Sequence, residues 1–192
     1  MHTERRSPCV LKWKITCRRP VIADVITLES HMPTIELETR ISAPIGTVFD
    51  LSRCVDLHIE STAQTNERAV EGKTSGLLVL GDTVTWEATH FLVRQRLTIQ
   101  ITEYDRPNHF RDSMTCGIFD HFDHDHFFDE IESGTLVRDV FSYSSPLGML
   151  GMAANILLVD RHMRKLLESR NEIIKSVAES SDADRYLRAN TA

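Results

Sequence analysis

PLGMLGMAANILLVDRHMRKLLESRNEIIKSVA, residues 146–178, decides the fold. Met149, Met152, Ile156, Val159, Met163, Leu166, Arg170, Ile173 and Val177 recur at alternating steps of three and four. Leu150, Ala153, Leu157, Leu167 and Ile174 widen the stripe. Such a stripe is the buried face of an amphipathic helix, about 48 Å long at 1.5 Å per residue.

Upstream of it lie turn-punctuated strands. Thr135 to Tyr143 and Phe119 to Ile131 are two, joined by a Ser133-Gly134 hairpin. Phe110 to Cys116 is another, preceded by an Asp105-Arg106-Pro107-Asn108 turn. Leu97, Ile99 and Ile101 alternate with Arg96, Thr98 and Gln100. Val84, Trp86, Ala88 and His90 share one strand face, and Gly81-Asp82 opens the series. Further back, Ser42-Ala43-Pro44 reads as a helix start with Ser42 capping. Asp56 is placed to cap a second short helix, Leu57 to Ala63. Ile35, Leu37 and Thr39 alternate with charged residues as a first strand.

The order is strand, helix pair, antiparallel meander of at least five strands, long helix. It predicts an α+β helix-grip fold. A curved antiparallel sheet wraps around the C-terminal helix, and the curvature leaves room for an internal cavity.

Composition sets limits. The chain has 192 residues and 21.9 kDa, which suits one domain. Apolar residues at 41% and charged residues at 26% exclude a disordered chain and a disulfide mini-protein. A net charge of -6 argues against nucleic-acid binding by blanket phosphate neutralisation. No apolar run is long enough to span a membrane. Cys9, Cys17, Cys54 and Cys116 form no metal or disulfide spacing, so reduced thiols and a cytoplasmic location are expected.

Residues 1–31 form an extension with six basic residues against three acidic ones. It has no sustained period, and it is expected to be disordered or a mis-assigned start, with Met32 as the natural one. The domain then covers 32–179, and 180–192 is a polar tail expected to fray.

Several segments together resemble the SRPBCC superfamily, also called the helix-grip or START/birch-pollen-allergen fold. They include Leu57-His58, Glu67-Arg68-Ala69-Val70, Thr74-Ser75-Gly76-Leu77 and Val84-Thr85-Trp86. Val93-Arg94-Gln95-Arg96-Leu97, Phe119 with His124-x-His126-x-Phe128, and Gly134-Thr135-Leu136 follow. Arg138-Asp139-Val140-Phe141, Pro146-Leu147-Gly148 and Arg170-Asn171 complete the set. Residues 33 to about 179 are covered, and the match is similar to a bacterial subgroup described as ligand-binding SRPBCC domains. The acidic set Asp120, Asp123 and Asp125 departs from that pattern. The resemblance implies the fold. It does not imply one activity, because the superfamily hosts carriers, receptors, cyclases and chaperone cofactors.

Candidate site residues follow from strand parity. His124 and His126 point to one face with Phe122 and Phe128, so that face is the inner one. Trp86 and His90 share an inner face, and Gln95 is in phase with Leu97. Asp139, in phase with Val137, Phe141 and Tyr143, is a buried carboxylate that needs a partner. Arg170 interrupts the apolar helix stripe and is expected to pair with an inward acid such as Asp139.

The expected function is binding of a small, mostly apolar or lipid-like ligand. Trp86, His90, Gln95, Phe122, His124, His126 and Asp139 are the cavity candidates. One alternative is a cyclase, dehydratase or hydrolase with His124 or His126 as general base. Another is an interaction module in cell division or stress. No cofactor is expected. A metal on His90, His124 and His126, with His58 as a further ligand, is the competing reading of the histidines. Oligomeric state is left open.

Overall fold

The computed structural model describes residues 33–90, 92–144 and 152–188, with side chains in the last stretch described from residue 158. The expectations for residues 1–32, and those for Met149, Leu150 and the helix start near Pro146, lie outside these residues. So do those for the side chains of Met152, Ala153, Ile156 and Leu157.

Strand β1 (Thr34–Ile41) is followed by helices α1 (Ile45–Ser52) and α2 (Val55–Ser61). A one-turn 3-10 segment, Ala63–Thr65, comes next. Strands β2 (Arg68–Gly72), β3 (Thr83–His90), β4 (Val93–Asp105), β5 (His109–Cys116), β6 (His121–Ile131) and β7 (Gly134–Ser144) follow. Helix α3 (Met152–Ala178) and the short α4 (Ala183–Arg188) close the order. The seven strands form one antiparallel sheet in the order β1-β7-β6-β5-β4-β3-β2. This is the helix-grip arrangement.

The alternation in β7 is nearly ideal. Thr135, Val137, Asp139, Phe141 and Tyr143 are buried, and the residues between them are not. Gly134 has φ +134°, and a Cβ there would lie 2.2 Å from the Ile41 carbonyl. Its backbone freedom is what lets the β6–β7 hairpin close against the end of β1. At that end of the core Phe49 of α1 meets Tyr104, Phe110 and Phe128 edge-on, at centroid distances of 5.6, 5.5 and 5.2 Å. Helix α3 packs against β1, α1 and α2. Its most buried line is Leu167, Arg170, Asn171, Ile174 and Ala178, while Met163, Leu166, Ile173 and Val177 are only half-buried.

Several local expectations need correction. Ser42 does not cap α1. Its N–H donates to Glu179 Oε1, and the Pro44 carbonyl accepts the first helical bonds instead. Asp56 lies inside the first turn of α2, where it accepts from the Gly76 N–H at 2.9 Å, and Cys54 holds the N-cap position. The meander opens earlier than Gly81, with β2. That strand is short, bulged between Ala69 and Glu71 and mostly exposed, so its sequence shows no alternation.

The outer face is less solvated than its charges suggest. Asp125 is buried under His109 and Arg111, with bonds of 2.8 to 3.0 Å, and Glu87 under Arg94 and Arg96. The tail does not simply fray. Within it α4 packs on α1 and buries Tyr186, whose hydroxyl donates to Glu60 Oε2 at 2.6 Å.

Candidate functional site

Cross-strand register assembles a polar cluster inside the sheet. Asp112 of β5 stands opposite His124 of β6, and His126 of β6 stands opposite Asp139 of β7. All four point inward, because Phe110, Phe122, Phe128 and Phe141 share their parity and are buried. Asp139 is 1% exposed, so its charge depends on its partners. Its Oδ1 accepts from His126 Nδ1 at 2.6 Å, and its Oδ2 accepts from Asn171 Nδ2 of α3 at 2.6 Å. Asn171 also donates to Thr39 Oγ1 at 3.2 Å, which ties helix, β1 and β7 together.

His126 therefore lies between two carboxylates. With Nδ1–H given to Asp139, its Nε2 faces Asp112 Oδ2 at 3.2 Å. Burial raises the carboxyl pKa of both acids, yet the histidine bonds outweigh it. Asp112 is held below the usual carboxylate range, and Asp139 well below it. Burial likewise disfavours charge on His126, but the bonds to Asp112 and Asp139 win and raise its pKa. His124 goes the other way. Burial lowers it, the neighbouring His126 charge adds to that, and the aspartates only partly offset the two. The two rings sit 3.9 Å apart between centroids. One is driven toward imidazolium and the other toward neutral imidazole. His124 Nε2 lies 3.3 Å from Asp139 Oδ1 but off line, so it makes no hydrogen bond.

A cavity of about 140 Å³ runs between sheet and α3 beside this cluster. Trp86, Phe122, Phe141 and Leu167 line it, and His124, His126 and Asp112 supply polar wall. His58 stacks on Trp86 at 4.1 Å, and Glu67 lies 3.6 Å from its Nε2.

Of the candidate residues, Trp86, His90, Phe122, His124 and His126 lie on the cavity wall. Asp139 stands behind the histidines. Gln95 does not line the cavity. It pairs with Ala88 toward the β3–β4 turn. Arg170 forms no ion pair with Asp139. Its Nη2 donates to the Ser52 carbonyl at 2.7 Å and its Nη1 to Asn171 Oδ1 at 3.5 Å, so Asn171 occupies the place expected for it. His90 stands apart from His124 and His126, with Nδ1 at 3.1 Å from His162 Nε2 on α3.

Three site residues escaped the sequence. Asp112 shares strand parity with Phe110 and Met114, Asn171 shares a helix face with Leu167 and Ile174, and His162 neighbours Met163. Those periodicities were the available signal.

No protein-family model and no curated protein sequence matches the chain. Solved structures do resemble it in fold. TTHA0849 from Thermus thermophilus aligns at 18% identity and TM-score 0.60, over 76% of this chain and 99% of its own. Ara h 8.0201 aligns at 14% and 0.54, over 76% and 99%. The major latex-like protein 151 of Panax ginseng aligns at 15% and 0.56, over 78% and 99%. At these identities the likeness establishes the helix-grip fold. Among the described residues no helix is long and apolar enough to cross a membrane.

Proposed function

We propose that the protein binds a small, mostly apolar molecule about the size of one aromatic ring between sheet and α3. The observation that carries this reading is the aromatic-walled cavity with the histidine–aspartate cluster at its side. An apolar protein cavity of about 150 Å³ takes benzene. Pockets for drug-sized ligands run to roughly 300–1,000 Å³. A volume of about 140 Å³ therefore favours a single ring over a long-chain lipid. Neutral His124 supplies a polar contact that would orient a hydroxyl or similar group. The free thiols of Cys54 and exposed Cys116 fit a reducing cytoplasm.

The probe is p-cresol, titrated calorimetrically into the full chain. Its eight heavy atoms at roughly 0.7 kcal/mol each give a Kd of order 0.1 mM. Leu167→Trp fills the cavity and should abolish the heat while the far-UV spectrum stays native. Absence of binding at millimolar p-cresol, or equal binding by a folded Leu167→Trp, overturns the proposal.

A further inference from the structure

The geometry points to a divalent transition-metal site formed by Asp112, His124 and His126. One donor atom from each lies within 4.8 Å of the others. The argument rests on the contact between His126 Nε2 and Asp112 Oδ2. Because His126 Nδ1 donates to Asp139, a neutral His126 would aim the lone pair of Nε2 at a carboxylate oxygen 3.2 Å away. Two lone pairs at that distance require a positive centre between them, either a proton or a metal ion. His124 completes the set. It is buried, and its Nδ1 is 4.0 Å from Asp112 Oδ2.

Two nitrogens and one carboxylate oxygen on one side of an ion, open positions on the other, make an arrangement used for zinc and non-haem iron. With metal–ligand bonds of about 2.0–2.2 Å, neighbouring donors sit about 3.3 Å apart. The two nitrogen–Asp112 distances, 3.2 and 4.0 Å, are within 1 Å of that, and no donor pair exceeds 4.8 Å. Asp139 accepting from the ligating histidine, and itself fixed by Asn171, is the outer support such histidines ordinarily have. All three residues line the cavity. This inference stands apart from the apolar-ligand proposal, since it needs no organic molecule and its test contains none.

Binding exchanges charge in a defined way. The ion would take the place of a proton between His126 Nε2 and Asp112, that proton leaving to solvent. The charged and titratable groups around the ion are Asp112 from β5, His124 and His126 from β6, Asp139 from β7 and Arg170 from α3. Because the ligating nitrogens bind the ion in their deprotonated form, affinity falls as pH is lowered.

The test is titration of the full chain with cobalt(II), followed by visible absorption at pH 7.5 and 6.5, with stoichiometry from native mass spectrometry. One ion per chain is expected, bound more weakly at the lower pH. Asp112→Asn and His124→Gln should each weaken it at least tenfold. His121→Gln, on the outer face, should leave it unchanged. Paramagnetic broadening in the unmutated protein should centre on the rings of His124 and His126, a readout that does not depend on any variant folding. No stoichiometric ion, broadening elsewhere, or unchanged affinity in folded Asp112→Asn and His124→Gln overturns the proposal.

Discussion

Replacing Asp139 with alanine should be among the most damaging single changes in the chain. The carboxylate is 1% exposed and accepts two bonds of 2.6 Å, from His126 Nδ1 and Asn171 Nδ2. Asp139→Ala leaves His126 Nδ1–H and the Asn171 amide, both buried, without that acceptor. Each stranded donor costs about 1–3 kcal/mol, and breaking a buried charged pair costs about 3–5 kcal/mol in all. For a domain of this size each kcal/mol moves Tm by about 2–4 °C, so a fall of roughly 6–20 °C is expected. Asp139→Asn keeps one carbonyl acceptor but turns its amide on the other donor, so it should fall between. Asn171→Ala alone removes one of the two donors and should cost less. Combined with Asp139→Ala it should be clearly sub-additive, because the two side chains share one bond. Urea unfolding followed by fluorescence and circular dichroism gives all four values. A loss under about 1 kcal/mol for Asp139→Ala, below the cost of one stranded donor, would refute the reasoning, since the carboxylate would then not hold the cluster together.

Three further outcomes follow from the same geometry. His126 has a raised pKa, so its contribution is complete below the unfolded value of about 6.5 and is lost as pH rises through the folded value. His124 has a lowered pKa, so its contribution is complete above about 6.5 and is lost as pH falls toward the folded value. The stability gap to His126→Asn should therefore narrow from pH 6 to 9, and the gap to His124→Asn should widen from pH 5 to 7, both by urea unfolding. Leu167→Ala should cost about 2–5 kcal/mol and enlarge the cavity enough to bind naphthalene, measured by unfolding and calorimetry. Tyr186→Phe removes the bond to half-exposed Glu60 and should cost about 1 kcal/mol, while ending the chain at Asp182 should cost more, read as Tm.

The fold was legible because its two periods are clean. β7 alternates almost without exception, and the stripe of α3 returns every three or four residues. The inward turn of His124, His126 and Asp139 followed from parity alone. What parity cannot give is which inward side chains from different strands meet. That depends on register, and register placed Asp112 opposite His124. The same gap explains Arg170. Its burial was readable, but the helix rotation that carried Asn171 to Asp139 and Arg170 to the Ser52 carbonyl was not. β2 and the Ser42 cap were misread for a local reason. A short exposed edge strand and a proline-led helix start carry too few residues to display a period.

The most direct test of the binding site is nuclear Overhauser contact between p-cresol and the side chains of the isotope-labelled full chain. The account predicts contacts from the cresol methyl and ring to Phe122, Phe141, Leu167 and the Trp86 indole, and none in Leu167→Trp. Contacts confined to exposed residues, or none at a saturating concentration, would contradict it.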